Sequence, residues 1–555
     1  MGKLRVFKFL ALVAVFVMAL GVVSAQLEDN VLYVNWGEGD IPTLDPSLGT
    51  DTSSIQIVIE IFPGLTRIDE VSYEVGDGMA SWTTSEDGLT YTFSILPEVS
   101  WVKYNAETGE VEQLTDADGN VLYVTANDFK YGMLRSMDPA LGSYYGGILA
   151  SWVQGGAAYN ADEGSMEDVA ITVVDDYTLE IVAPEAAAFL PNIYGMWMAT
   201  AQPQAVVEEF GDQWTEDENI VSYGPFAVSE WVHEESLTIV KNPFWVGTET
   251  IPAPTLDAVV GTMLSTEAAL ANYEAGLLDV TGVPSADYER VVADPVLSEE
   301  YSTGPGSCTY SYVFNTAVAP FDDVRVRQAF SMAINRQEII DNVLKAGQEP
   351  AFFWSRPNLV AAPLQDDFPD FIIGEDDELA RELINEYIAE NGELPTITAS
   401  HNESSGHAAI MAAAVEMWRT TLGVEDIQIT TQEWATYLET IKNDDTAPGI
   451  FRYAWCLDYP DTHNFLFDVF HSSVIELGAS WQSDEFDALV EEAKTETDTA
   501  VRTDLYLEAE YILTVEDAVL IPVYYYTSSR VTKPYVDRPY GGLGNTYYEN
   551  WSVNR

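Results

Sequence analysis

Seven residues, Arg452-Tyr-Ala-Trp-Cys-Leu-Asp458, bring together one cation, one anion, a large aromatic side chain and one of the two cysteines in the chain. Such a density of charged and aromatic side chains is unusual in this chain. An aromatic-rich run predicts a strand, and Tyr459-Pro460-Asp461 predicts its stop. Asp458 then falls at a strand end, where a site can be built. A buried strand whose Arg452 and Asp458 belong to structural ion pairs is the other reading of the same residues.

Catalytic signatures are missing. The chain has no Gly-x-x-x-x-Gly-Lys-[Ser/Thr] phosphate loop, no His-Glu-x-x-His and no Gly-x-Ser-x-Gly nucleophile turn. Cys456, His463 and His471 fit no compact zinc spacing, so no metal and no cofactor is expected. His233 and His401 read as surface residues. With 90 acidic residues any two could meet as a glycosidase pair, which gives that reading no specificity.

The 555 residues can bury several cores and suggest two to four domains at roughly 150 residues each. Against 90 acidic residues stand 24 basic ones, a formal charge of -66 that excludes nucleic acid and anionic membranes as partners. Lys3, Arg5 and Lys8 precede an apolar run over residues 9–23 and the small residues Ser24-Ala25, a secretory signal with cleavage expected after Ala25. The run is shorter than the ~20 residues a membrane span needs, and no cysteine follows the cleavage point to carry a lipid. In an oxidising compartment Cys308 and Cys456 are expected to pair, with two inert buried thiols as the alternative.

Strands and helices alternate along the chain, which predicts an α/β architecture. Residues 31–36 and 91–95 read as strands, 104–120 as an exposed hairpin or loop insertion, and 173–182 as a turn and strand. Thr125-Ala-Asn-Asp128 is a capping box opening a helix. Residues 322–336 form the clearest helix, capped by Asp322, with Val326, Ala329, Phe330, Ala333 and Ile334 on one face. A second carries Leu379, Leu383, Ile384, Tyr387 and Ile388 and stops at Asn391-Gly392, and a third runs from about His407 to Leu422.

Leu44-Asp-Pro46, Val124-Thr-Ala-Asn-Asp-Phe129, Pro320-Phe-Asp-Asp-Val-Arg-Val-Arg-Gln-Ala329, Gln432-Glu-Trp434, Ala454-Trp-Cys-Leu-Asp-Tyr459 and Ile521-Pro-Val-Tyr-Tyr-Tyr526 follow one another in this order. In that order the chain resembles the peptide/nickel class of extracellular solute-binding proteins that feed ABC importers, in its oligopeptide-binding branch, over essentially its whole mature length. The resemblance implies two lobes hinged around a buried ligand: a first lobe from residues 26–62, 175–307 and 526–555, an extra domain at 63–174 inserted in it, and a second lobe at 308–525. It implies a receptor without catalysis of its own that captures extended oligopeptides and delivers them to a membrane permease. The protein is expected to be monomeric and periplasmic or extracellular. An oligosaccharide receptor of the same fold is the alternative, motivated by an aromatic content of 12%.

Carried over by position, Asp458 matches the aspartate that pairs with the peptide α-ammonium. Arg452 and His407 match groups that meet the C-terminal carboxylate, and Lys345 matches a further one across a one-residue gap. Trp434 and Tyr145 match cleft-lining aromatics, and Trp455 and Cys456 belong to the same strand. Cys308 and Cys456 match a family disulfide. The segment Thr50-Asp51-Thr52-Ser53 falls where one lobe offers backbone to the ligand. Three departures remove charge: Thr50 and Val313 stand where glutamates are expected, and Ile441 where an arginine is. They disfavour strongly basic peptides and dipeptides.

Overall fold

Two long strands, Tyr301–Phe314 and Leu520–Thr532, lie antiparallel along most of their length and carry the architecture. In the computed structural model, which describes residues 27–473, 477–496, 498–540 and 546–555, they belong to a seven-stranded sheet. At one end Leu520–Thr532 also pairs with Val280–Gly282. Toward the other end Tyr301–Phe314 pairs with Ile450–Cys456, which leads on to Ile397–Asn402 and Ile427–Gln432. The pairing of the long strands breaks between Pro305 and Thr309. There Gly306 is required by close approach, since a Cβ on it would stand 2.9 Å from the Tyr526 carbonyl oxygen.

Three helices pack on this sheet: Val324–Met332, Asp377–Asn391 and Ser405–Leu422. The first is capped by Asp323, one residue later than expected, because it is the Asp323 carboxylate that accepts from the Arg325 N–H. It ends at Met332, yet Val326, Ala329, Phe330, Ala333 and Ile334 are all buried as its spacing implied. On the second helix Leu379 turns outward and Ala380 takes the core position beside Ile384 and Tyr387. Gly392 ends it at φ 90°. The third is capped by Ser404 and starts slightly ahead of the expected His407.

A four-stranded sheet orders Val31–Asn35, Ala258–Thr262, Ser236–Lys241 and Phe226–Val232, with Val31–Asn35 parallel to its neighbour. Another joins Ala80–Thr84, Thr90–Ile95, Thr178–Val182 and Ile171–Asp175. Against it packs the helix Ala126–Ser136, whose capping box is formed by Thr125 and Asp128 as read from the sequence. The hairpin expected at 104–120 pairs Val102–Asn105 with Glu110–Gln113, so it starts two residues earlier. The C-terminal residues return beside the Val31–Asn35 strand, where Arg555 donates to the Val31 carbonyl at 2.7 Å and pairs with Asp279, and Glu549 pairs with Arg67. The expected signal segment lies outside the described residues. Among the described residues no helix is long and apolar enough to cross a membrane.

Buried acidic side chains are a small minority of the 90, among them Asp45, Asp279, Asp461 and Asp468, so the net charge lies mostly on the surface. Screening of that self-repulsion is expected to raise the melting temperature as salt is added from low ionic strength. A melting temperature that stays flat or falls toward molar salt would show these charges to be neutralised locally.

Candidate ligand-binding site

A cavity of about 680 Å³ lies where the long strands, the Ile450–Cys456 strand and the Thr52–Ile61 helix meet. Cys308 and Cys456 are register partners on neighbouring strands and are joined in a disulfide. The strand Ile450–Cys456 is covered along one edge by Tyr301–Phe314. On its other edge Ile397–Asn402 pairs only with Ile450 and Phe451, so Ala454 and Cys456 present a strand edge with no strand beside it among the described residues. Both line the cavity.

Asp458 stands just beyond the strand end, as its position after Trp455-Cys456 implied. Its Oδ2 accepts from the Tyr145 hydroxyl at 3.1 Å and from Asn464 Nδ2 at 3.0 Å. Burial pushes its pKa up to about 7, although the Asn464 and Tyr145 hydrogen bonds pull the other way. Among the described residues no cation pairs with it, which removes the structural ion pair as its explanation. Tyr145 is buried, stacks on Trp455 at 6.2 Å and meets Trp197 edge-on at 4.6 Å.

Arg452 is buried with its Nη2 donating to the Tyr526 hydroxyl at 2.9 Å and its guanidinium over the Tyr310 ring at 5.2 Å. Its Nε has no hydrogen-bond partner among the described residues. His407 lies nearby and is held well below its ordinary pKa by burial and by the Arg452 charge, so it stays neutral. Its Nδ1 is buried and likewise without a partner among the described residues. Trp434 opens the helix Trp434–Ile441 and stacks on Tyr437. Thr50 and Thr52 line the opposite wall beside Asp51, whose carboxylate caps the Thr52–Ile61 helix.

Lys345 is the exception among the residues carried over by position. It sits in a left-handed turn at φ 64°, outside the cavity wall, with Nζ 3.1 Å from Glu289. Glu289 belongs to the helix Tyr288–Ala293, so the ammonium is held there. His401 also departs from expectation: it is buried, with Nδ1 against the Asn402 carbonyl.

Sequence reasoning missed Lys442, Asn464, Arg530 and Arg538. Lys442 stands next to the lost arginine position at Ile441, lines the cavity and donates to Thr50 Oγ1 at 3.0 Å. Asn464 belongs to the helix His463–Phe470, an aromatic run in which polar side chains at 464 and 468 are the signal of a buried network. The Asn464 side chain makes four hydrogen bonds: Oδ1 accepts from Trp455 Nε1 and the Asp458 N–H, and Nδ2 donates to Asp458 and Asp468. That network fixes the Asp458 carboxyl. On its far side Trp152 and Phe189 pack on His463 at 5.3 and 4.5 Å, and Lys494 pairs with Glu185 at 2.6 Å.

Comparison with known proteins now decides the class. Residues 75–476 match the family model of bacterial extracellular solute-binding proteins, family 5 Middle. The chain belongs to this family. It is 30% identical over 521 residues to the oligopeptide-binding protein of Bacillus subtilis, covering 92% of this chain and 90% of that one. With the periplasmic oligopeptide-binding protein of Escherichia coli it shares 29% identity over 541 residues, 95% and 93% of the two chains. The murein tripeptide-binding protein of Escherichia coli superposes with a TM-score of 0.82 at 25% identity, covering 95% of this chain and 99% of that chain. A structure of the murein tripeptide-binding protein in an unliganded open form reaches 0.61, over 95% and 98%. The fold of this family member is therefore the two-lobed α/β fold.

Proposed function

We propose that this protein is the ligand-capturing component of an ABC importer, and that it closes its lobes over an extended oligopeptide and hands it intact to a membrane permease. The carrying observation is Asp458, a cavity-wall carboxylate without a cation at the end of an open strand edge. A peptide lying along Ala454 and Cys456 would add as a strand, with its α-ammonium on Asp458 and a carboxylate toward Arg452 and neutral His407. The six residue steps from Arg452 to Asp458 span at most ~20 Å of extended chain, which suits a ligand of about six residues or fewer. Trp434, Tyr145, Trp455, Thr50 and Thr52 supply wall. In this reading the lobes divide at 62, 174, 307 and 525, which puts two boundaries at the break between Pro305 and Thr309 in the long-strand pairing. The mature protein acts as a secreted monomer without cofactor. Mass spectrometry of the cleft contents after mild denaturation tests the class: a mixture of short peptides is expected, and a single glycan would overturn it.

The ionisation of Asp458 gives a second test. Its ligand-free pKa, about 7, is far above the ordinary 3.8, so the neutral form dominates below pH 7. An ammonium binds the carboxylate, so at lower pH binding must first expel a proton. Affinity is expected to rise up to about tenfold per pH unit from 5 toward 7, to level off, and to fall as the peptide α-amino group deprotonates near ~8. Calorimetry at pH 6 in buffers of different ionisation enthalpy should register proton release. A flat profile without release would take the ammonium away from Asp458.

A further inference from the structure

The cavity wall reverses the charge balance of the chain. Basic residues are outnumbered 24 to 90 in the sequence, yet among the described residues Lys442, Arg452, Arg530 and Arg538 line the cavity against the carboxylates Asp51, Glu70 and Asp458. Asp51 is committed to its helix cap and Asp458 lies in the Tyr145–Asn464 network. Glu70 is pushed up to about 7 chiefly by burial and accepts from Asn550 at 3.3 Å.

Arg530 lies on the Leu520–Thr532 strand opposite Ser302 and Gly282. It is four residues beyond Tyr526, whose hydroxyl holds Arg452, hence ~13 Å along the strand and on the same face. Arg538 reaches back to it. The Arg538 Nε donates to Thr532 Oγ1 at 3.2 Å, Nη2 to Ser302 Oγ at 3.3 Å and Nη1 to the Pro539 carbonyl at 3.4 Å, and the guanidinium covers the Tyr540 ring at 4.2 Å. Each of these partners is neutral. Neither arginine has a carboxylate within ion-pair distance among the described residues; after burial the Arg530 charge is the next influence drawing the Arg538 pKa down, and Glu70 is the carboxylate near enough to draw it up. Two half-buried guanidiniums of like charge repel until an anion joins them. On a chain so rich in carboxylates, a pair left without one on a cavity wall is arranged for an incoming anion.

We propose that Arg530 and Arg538 form an anion subsite of the cleft, separate from Arg452, that binds a carboxylate of the ligand. The subsite rests on the peptide reading above and deepens it. The carboxylate comes from an acidic side chain or from the chain terminus of a peptide long enough to reach. The planar forks of the arginines suit its two oxygens.

An alanine hexapeptide in which one Gln is walked along the sequence, each version paired with its Glu twin, distinguishes these sources when a C-terminal amide series is added. Titrated by calorimetry at pH 8 into wild type, the Glu twin or the free terminus at the right position should bind about tenfold tighter than its neutral counterpart. In R530Q/R538Q that ratio should fall to about one, with R530K/R538K keeping part of it. A dependence on the Glu walk assigns the subsite to acidic side chains, and a dependence on the amide series to the terminus. Equal binding of every pair by wild type, or a ratio that survives in the double Gln variant, overturns the subsite while leaving the peptide receptor standing. Should the double variant fail to fold, the single variants R530Q and R538Q decide: each should lower the ratio at the same position of the walk, and a ratio unchanged in both overturns the subsite. Failure of the whole set to bind wild type overturns the peptide reading, and the subsite with it.

Discussion

Asp458→Asn is expected to weaken binding of a free oligopeptide at pH 8 by roughly thirtyfold or more. The ligand ammonium would be desolvated in the closed cleft. Removing the charge of a buried hydrogen-bonded partner typically costs about 2–5 kcal/mol, and ~1.4 kcal/mol is a decade of affinity. Asparagine keeps the shape and can still accept from Tyr145 and Asn464, so the substitution isolates charge from packing. N-acetylating the peptide removes the same ion pair from the other side. It should weaken binding to wild type by a similar factor and add little in Asp458→Asn. Arg452→Gln and His407→Ala should have smaller effects that depend on peptide length, since the carboxylate end moves as the peptide grows. Calorimetric titration of the four combinations of variant and peptide checks this. An acetylated peptide that binds wild type as well as the free one would leave Asp458 with a purely structural role.

The second large effect is on stability. Cys308→Ser/Cys456→Ser should lower the melting temperature by up to about 10–20 °C, because the disulfide closes a loop with a sequence separation of 148 residues. The chain-entropy model values such a closure at up to ~5 kcal/mol, and in a lobe of some 200 residues each kcal/mol moves the midpoint by about 2–4 °C. Affinity should fall as well, since Asp458 follows Cys456 by two residues and the bridge pins the strand end to Cys308. Native protein should show no thiol reactive to a labelling reagent until it is reduced. Two reactive thiols before reduction, or an unchanged melting temperature, would remove the bridge from the stability of the protein.

Much of this protein was determined by local sequence. The capping box at Thr125 and Asp128, the helical spacing around Val326 and Phe330 and the alternation at residues 91–95 depend on contacts a few residues apart, and each element appears where its pattern lies. The strand at Arg452 and its stop before Pro460 likewise put Asp458 at an edge. The small misreadings, Asp323 for Asp322 as cap and Leu379 turned outward, arise because neighbouring positions offer nearly equivalent local bonding. The tertiary structure alone decided which side chains share the cavity. Tyr145 meets Asp458 across 313 residues, and Lys442 meets Thr50 across 392. Lys345, placed on the ligand by position, is turned toward Glu289 by a left-handed helix end. Arg530 and Arg538 look like ordinary surface cations in sequence, and become a cavity feature because the long strand carries one into the cleft and the chain return brings the other beside it. Burial, which raises Asp458 to about 7 and keeps His407 neutral, is set by the whole surrounding fold and has no local signature.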